Sequence, residues 1–180
     1  GLVALVLAPL ILAAQAPTPT KWSVEEIHGP SRKIAFTTDE GTWISLDVSP
    51  DGQSIVFDLL GDIYRMPIAG GKTTRLTSGM AYDAQPRWSP DGKKIVFVSD
   101  RSGGENVWIM NADGKDTTAL TSGNNNQYVS PTYSPDGKYV VVSRSGGTFG
   151  QAKLWTFHVD GGKGVPLTTT PALPPTLKML

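Results

Sequence analysis

The residue types that could perform chemistry are few and widely spaced in this sequence. It contains two histidines, His28 and His158, which lie 130 positions apart, and no cysteine. No His-x-His or His-Glu-x-x-His pair provides the ligand spacing of a zinc site, and no thiol is present to act as a ligand or a nucleophile. We interpret His158, which follows an aromatic strand, as a strand-end surface residue. The sequence therefore predicts no catalytic residue, no metal ligand and no cofactor site within these 180 residues.

Two short segments resemble functional motifs only loosely. Residues 143–147, Ser-Arg-Ser-Gly-Gly, depart from the Gly-x-Ser-x-Gly turn that exposes a serine nucleophile. Residues 111–116, Asn-Ala-Asp-Gly-Lys-Asp, begin like a calcium loop but lack its distal glutamate and further oxygen ligands. We expect a loop at the first segment and a hairpin turn at the second.

The elements that would position any functional side chain are repeated along the chain. The tetrapeptide Ser-Pro-Asp-Gly occurs three times, with starts 40 and 45 residues apart, and a Leu-Thr pair follows each copy. The tetrapeptides are residues 49–52, 89–92 and 134–137, and the pairs are residues 76–77, 120–121 and 167–168. Two anchors in the same order three times indicate a repeated structural unit.

Each unit divides into four strand-like pieces. Pro-Asp-Gly is turn chemistry, because proline presets φ, aspartate bonds the turn and glycine accepts a positive φ. The first pieces, before the tetrapeptide, are residues 43–48, 85–88 and 130–133, and the second pieces, after it, are residues 55–57, 95–98 and 139–142. The third pieces are residues 62–66, 107–110 and 153–157, and the fourth piece of each unit carries the Leu-Thr pair. The second pieces are apolar at consecutive positions, which predicts strands covered on both faces.

Small sheets covered on both faces and repeated every 40–45 residues are typical of a β-propeller. We therefore predict an all-β fold with three four-stranded blades and the start of a fourth, an incomplete ring. A flat β-sandwich of short strands is the alternative. Three blades cannot close a propeller, so we expect the chain to be a fragment that is poorly stable alone.

The first forty residues are predicted to lie outside the blades. Leu2–Ala14 is almost wholly apolar but shorter than the roughly 20 residues of a membrane-spanning helix. Ala14-Gln15-Ala16 resembles a signal cleavage site, which predicts export to the periplasm or the medium; a buried helix or an uncleaved anchor is the alternative. The predicted divisions are residues 1–16 as a signal peptide remnant, 17–40 as a linker with a strand at 33–37, 41–80, 81–126 and 127–170 as blades, and 171–180 as the start of a fourth blade.

Composition narrows the choice of partners. The 16 basic and 16 acidic side chains give a net charge of zero, whereas a nucleic-acid surface needs a basic face. With 20 glycines and 14 prolines the chain is dense in turns. We expect no nucleic-acid partner and no membrane span once a signal is removed.

Propeller topology places the loops between the second and third strands and the connections between blades on one face, with the Ser-Pro-Asp-Gly turns on the other. The loops are residues 58–61, 100–105 and 143–151, and residues 81–84 are a connection between blades. Asp83, Asp100 and Arg101 are the charged candidates there for contact with a ligand or a partner domain; solvated loop charges are the alternative. Leu59-Leu60 is an apolar pair that packs either on a partner domain or under the next blade.

The unit resembles the WD-like repeats of TolB-type propellers. The shared elements are the aromatic residue before Ser-Pro-Asp-Gly at Trp88 and Tyr133, the apolar second strand, the Asp/Gly turn and Leu-Thr. A closer resemblance, to the N-terminal propeller of exported bacterial metal-dependent amidohydrolases, is carried by residues 38–43, 46–52, 57–64, 153–155 and 158–162.

The amidohydrolase resemblance implies a non-catalytic propeller that acts as an interaction or substrate-gating scaffold. Its partner would be a downstream hydrolase domain of the same polypeptide that cleaves C–N bonds and holds a divalent metal such as zinc. The first alternative is a TolB-like periplasmic propeller that binds an envelope protein. A weaker alternative is the propeller of a prolyl-oligopeptidase-type serine hydrolase.

Overall fold

The computed structural model describes residues 23–27, 29–146 and 151–168, and all of its regular structure is β. Twelve strands form three four-stranded antiparallel sheets, each ordered as the chain runs. The strands are β1 Leu46–Val48, β2 Ser54–Leu59, β3 Asp62–Pro67, β4 Thr74–Arg75, β5 Asp83–Trp88, β6 Lys94–Ser99, β7 Asn106–Asn111, β8 Thr118–Ala119, β9 Asn126–Tyr133, β10 Tyr139–Gly146, β11 Lys153–His158 and β12 Val165–Pro166. Within these ranges, no helix has the length and hydropathy needed to cross a bilayer.

The three sheets are successive blades of an incomplete propeller, so the predicted fold class is confirmed. We call β1–β4 blade 1, β5–β8 blade 2 and β9–β12 blade 3. The first strand of blade 2 packs on β1, β2 and β3, and that of blade 3 packs on β5, β6 and β7, whereas strands of blades 1 and 3 do not touch. The blades therefore stack in chain order, each against its neighbour.

The Ser-Pro-Asp-Gly turns close the first hairpin of each blade in the same way. Ser49 Oγ donates to Asp51 Oδ1 at 2.6 Å, and the amide of Ser54 donates to Ser49 Oγ at 2.9 Å. Gly52 has a φ of 68°, a value that favours glycine. The same bonds recur around Ser89 and Ser134. The tetrapeptide is thus a self-contained turn whose serine and aspartate hold the backbone.

Turns of neighbouring blades also lie against each other. A Cβ built on Gly92 would lie 3.6 Å from Pro50 Cδ, and one built on Gly137 would lie 3.7 Å from Pro90 Cδ. The proline of one turn therefore faces the glycine of the next. The repeated contact gives successive blades the same offset at this face.

The Leu-Thr pairs lie just after the fourth strands rather than within them, which corrects the predicted fourth pieces. The amide of Ile63 donates to Thr77 Oγ1 at 2.9 Å, and the amide of Leu76 donates to the Ile63 carbonyl at 2.8 Å. Blades 2 and 3 repeat this pattern with Thr121 and Thr168. The threonine hydroxyl replaces a backbone acceptor, so a two-residue strand is enough to complete each sheet.

The apolar core lies between the blades. One buried cluster joins blades 1 and 2 and contains Val56, Ile63, Trp88, Ile95, Phe97 and Met110. A second joins blades 2 and 3 and contains Val96, Val107, Ile109, Leu120, Tyr128, Val140, Val142 and Phe157. Because β6 contributes to both clusters, its consecutive apolar residues are buried on both faces, as the sequence predicted.

The structure corrects several predicted boundaries. Residues 33–37 form no strand, and Ile34 and Phe36 are exposed, because no described strand lies beside them. The first strand of blade 1 starts at Leu46, since Trp43 has a φ of 60° and the amide of Ser45 bonds the Asp58 side chain instead of a ladder partner.

Blade 3 extends further than the sequence predicted. Its first two strands pair from Tyr133 with Val140 out to Asn126 with Gly146. Residues 143–146, expected in a loop, are therefore strand, and Asn126, which the predicted divisions placed at the end of blade 2, begins the first strand of blade 3. The predicted signal remnant, residues 17–22, His28, residues 147–150 and the start of a fourth blade lie outside the described residues.

Candidate binding face

The face that carries the β2–β3 and β6–β7 loops and the connections between blades is the candidate binding surface; we call it the loop face. A cavity of about 230 Å³ opens there between blades 2 and 3. Its lining residues are Tyr82, Ala84, Gln85, Val98, Asp100, Glu105, Tyr128 and Val129. Apolar side chains surround it with a few polar groups, the composition that small-ligand and peptide sites share.

Asp83 and Arg101, two of the predicted candidates, bind each other. Asp83 opens β5 and is 1% exposed, and Arg101 Nη2 donates to both of its carboxylate oxygens at 2.7 Å. The guanidinium carbon lies 5.2 Å from the Phe97 ring centroid and 5.3 Å from that of Trp108. The buried charge of Asp83 is thus neutralised within blade 2.

Asp100, the third predicted candidate, lies at the edge of the cavity. Its Oδ1 accepts a hydrogen bond of 2.8 Å from the amide of Tyr82. The bond ties the β6–β7 loop to the connection between blades 1 and 2. The structure therefore brings the three candidates to one face but engages all of them in bonds within the chain, and contact with a ligand stays a prediction.

Sequence reasoning missed a series of hydrogen bonds that links each blade to the next. Asp58 Oδ1 accepts from the Ser45 amide at 2.8 Å, and its Oδ2 accepts from the Gln85 amide at 2.7 Å. Gln85 Oε1 in turn accepts from the Ser130 amide at 2.5 Å. Side chains of blades 1 and 2 therefore each bond the backbone of the next blade.

The amides of Gln85 and Ser130 belong to bulges in the first strands of blades 2 and 3. Gln85 and Ser130 have φ values of 57° and 55°, and the strand register shifts beside each of them. Both residues lie four positions before the motif serine and are followed by proline. That shared position was the signal available in the sequence, but it does not reveal the bonding partner.

Leu60 lies in the first loop of this face, and Asp62 begins the strand that follows it. Leu60 is 74% exposed, so it does not pack under the next blade. Burial raises the pKa of Asp62. Arg75 acts in the opposite direction, because its guanidinium lies 2.5 Å from Asp62 Oδ2. The other oxygen, Oδ1, is buried with no partner among the described residues.

The opposite face has a cavity of about 410 Å³ between the turns of blades 1 and 2. Asp51 and Asp91 line it, and their serine partners, followed by backbone amides, lower the pKa of both carboxyls. Arg65 also lines it and donates to the Ala112 carbonyl at 3.3 Å. The charged groups of this cavity are held by the chain itself.

The remaining motif residues occupy ordinary structural positions. His158 ends β11, with Nδ1 3.5 Å from Asp160 Oδ2 and its ring edge-on to Tyr139. In residues 111–116 the Gly114 amide donates to the Asn111 carbonyl at 2.9 Å, which confirms the predicted hairpin turn. Among the described residues, no group of three or more histidine or acidic side chains is arranged to hold a metal ion.

Sequence comparison identifies the repeat family. The model of the TolB beta propeller domain matches residues 18–176. TolB of the Tol-Pal system of Wolinella succinogenes is 31% identical over 131 residues, covering 69% of this chain and 30% of the relative. An uncharacterised protein of Agrobacterium fabrum is 35% identical over 124 residues, covering 63% and 42%. Tricorn protease homolog 1 of Streptomyces coelicolor is 30% identical over 127 residues, covering 68% and 11%.

Solved structures share the same architecture. TolB from Acinetobacter baumannii superposes with a TM-score of 0.62 at 26% identity, covering 73% of this chain and 34% of that one. A puromycin hydrolase superposes with a TM-score of 0.59 at 18% identity, covering 72% and 22%; this likeness concerns the fold alone. The chain spans less than half the length of each of these proteins.

Proposed function

The chain belongs to the TolB beta propeller domain family, and we propose that it acts as a non-catalytic interaction or substrate-gating region of an exported protein. Its loop face would meet a second domain or protein. The proposal includes a periplasmic or secreted location, which the signal-like segment at residues 2–16 supports.

The observation that carries the proposal is that the loop face pairs its buried charge internally but leaves large apolar side chains exposed. The carboxylate of Asp83 is paired with Arg101 inside blade 2. Large apolar side chains nearby remain exposed instead: Leu60, Met80, Tyr82 and Val129. Tyr82 and Val129 line the loop-face cavity, and exposed apolar groups at a cavity favour contact with a protein or peptide surface.

The first candidate for the whole protein is an amidohydrolase whose propeller orients or shields a downstream catalytic domain. The resemblance of blades 1 and 3 to the propellers of exported amidohydrolases supports it. The chain covers 11% of tricorn protease homolog 1. Such repeats therefore also occur within a much longer protein that is named as a protease. In this candidate the divalent metal, such as zinc, belongs to the downstream domain.

Paired substitutions in the parent protein test this candidate. Leu60→Ser with Tyr82→Ser removes apolar surface from the loop face, and Lys93→Ser with Lys138→Ser is the matched control on the opposite face. We expect the first pair to change KM or kcat for a dipeptide amide and the control to leave both unchanged. Equal effects of the two pairs would refute gating by the loop face.

The second candidate is a TolB-like propeller that binds an envelope protein. The matches to TolB of Wolinella succinogenes and Acinetobacter baumannii support it. It uses the same loop face, but the contact is between two polypeptides. The two candidates therefore differ in whether the surface that meets Tyr82 belongs to the same chain, which cross-linking from that position distinguishes.

A further inference from the structure

Blades 2 and 3 each place an arginine over an equivalent tryptophan near the loop face. Trp108 and Trp155 are the third residues of β7 and β11. The Arg101 guanidinium carbon lies 5.3 Å from the Trp108 ring centroid, and that of Arg144 lies 4.1 Å from the Trp155 centroid. An aromatic face holds a guanidinium in place while leaving its in-plane donors able to form hydrogen bonds.

The two blades differ in what faces the arginine. Asp83 and Tyr128 both lie six positions before the motif serine of their blade. In blade 2 that residue is the carboxylate that Arg101 binds, whereas in blade 3 it is the buried ring of Tyr128, 6.0 Å from the Arg144 guanidinium carbon. Blade 3 therefore keeps the arginine and its tryptophan but has no aspartate at the matching position.

Among the described residues, Arg144 has no carboxylate partner. All 16 acidic side chains of the sequence lie among the described residues, and none forms an ion pair with Arg144. Lys153 lies directly opposite Arg144 in the neighbouring strand, so its side chain is on the same face of the sheet. Lys153 has no ion pair with those acidic groups either. The half-buried Arg144 and its neighbour thus form an unbalanced positive site.

We propose that Arg144 binds a carboxylate of the ligand or partner that meets the loop face; the inference rests on the proposed function. Tyr128 connects the two features, since its ring lies beside Arg144 and also lines the loop-face cavity. The carboxylate would bind Arg144 as Asp83 binds Arg101 in blade 2, by accepting two hydrogen bonds from the guanidinium.

The surroundings favour a carboxylate over a phosphate. Asp100 and Glu105 line the same cavity, and their negative charges repel a doubly charged group more than a singly charged one. Two sources of a carboxylate are compatible with the site: the free C-terminus of a peptide, and an aspartate or glutamate side chain within a protein. Their shared chemistry is a planar, singly charged anion.

Arginine side-chain NMR on the parent protein tests the proposal. The probes are acetyl-Ala-Leu with a free carboxylate, acetyl-Ala-Leu amide, acetyl-Asp-Leu amide and inorganic phosphate. Arg144→Lys assigns the Arg144 Nε–H signal, and the Arg101 signal is the control because its guanidinium already binds Asp83. We expect either carboxylate peptide to shift the Arg144 signal, the uncharged amide to leave it unmoved, and Arg144→Gln to weaken binding by about tenfold.

The remaining outcomes decide between the two proposals. Equal shifts with the carboxylate and the uncharged amide, or a shift at lower phosphate than carboxylate concentration, overturn the carboxylate site. Shifts of Tyr82 and Val129 amides without Arg144 overturn it as well but leave binding at the loop face intact. A preference for the free C-terminus over the aspartate peptide identifies a peptide end as the source, and the reverse identifies an acidic side chain.

Discussion

Arg101 donates to both carboxylate oxygens of Asp83 at 2.7 Å, although the two residues are 18 positions apart in the chain. The β5–β6 hairpin brings them together, since Asp83 pairs with Ser99 at its open end. The carboxylate is almost completely buried and the guanidinium is covered by two aromatic rings. The pair therefore closes the loop end of blade 2.

Asp83→Ala should destabilise the chain by about 3–5 kcal/mol, because removing one partner of a buried pair leaves the other charge unpaired. Chemical denaturation followed by tryptophan fluorescence measures the change in the free energy of unfolding. Asp113→Ala is the matched control, since its ion pair with Lys115 is exposed and should contribute under about 1 kcal/mol.

Replacing both partners, Asp83→Leu with Arg101→Met, should recover much of the stability lost in Asp83→Ala, because no charge is then left unpaired. A single substitution no more costly than the Asp113 control would contradict the structural role of the pair.

Thr121→Val should cost about 1–3 kcal/mol for each buried group that loses its partner. Thr121 Oγ1 accepts from the Val107 amide at 2.9 Å and donates to Asn106 Oδ1 at 3.0 Å, and valine keeps the shape of the side chain but makes neither bond. Thr118→Val, at an exposed position of β8, is the control. Matching unfolding midpoints for the two variants would argue against a role for the Leu-Thr pair in closing the sheet.

Ser89→Ala should raise the pKa of Asp91, whose carboxyl is held below its ordinary value first by the Ser89 hydroxyl and then by the Lys93 amide. A pKa lowered by folding stabilises the folded state above the unfolded-state pKa, and this stability is lost as pH falls through the folded-state pKa. The variant should therefore lose less stability on acidification below about pH 4. Carboxyl NMR titration measures the pKa, with Ser78→Ala as the control; an unchanged Asp91 value would contradict the hydroxyl as its main cause.

The 180-residue chain should not hydrolyse a dipeptide amide above the buffer rate, with or without added zinc. The proposed chemistry belongs to a downstream domain, and Asp83, Asp100 and Arg101 are engaged in bonds within the chain. Release of the free amine, followed with and without a chelator, is the measurement. Hydrolysis that disappears on chelation would overturn the non-catalytic assignment.

Sequence reasoning predicted the features that depend on local chemistry. Ser49 and Asp51 form a hydrogen bond within one turn, so the turn could be inferred from adjacent residues. The strand β6 is buried on both faces and has apolar residues at consecutive positions, so its place in the sequence could also be inferred directly. The repeat then predicted the propeller, because each turn and each strand recurs in the same order.

Contacts that cross blades could not be predicted in the same way. Gln85 bonds Ser130 across 45 positions of sequence, and Asp58 reaches Gln85 across 27. Neither contact follows from spacing alone, because both depend on bulges that turn the amides of Gln85 and Ser130 toward the preceding blade. Asp83 and Arg101 were placed on the correct face, but their mutual bond follows from the hairpin register rather than from residue type.

Cross-linking from the loop face tests the central claim, that this face meets a second domain or protein. A photo-reactive phenylalanine replaces Tyr82 in the parent protein, and the same residue replaces Lys138 on the opposite face as the control. After irradiation of cells and mass spectrometry of the adducts, we predict cross-links from position 82 to one defined surface, in the same polypeptide or in an envelope protein, and few from position 138. No adduct from position 82, or equal yields from the two positions, would contradict the claim.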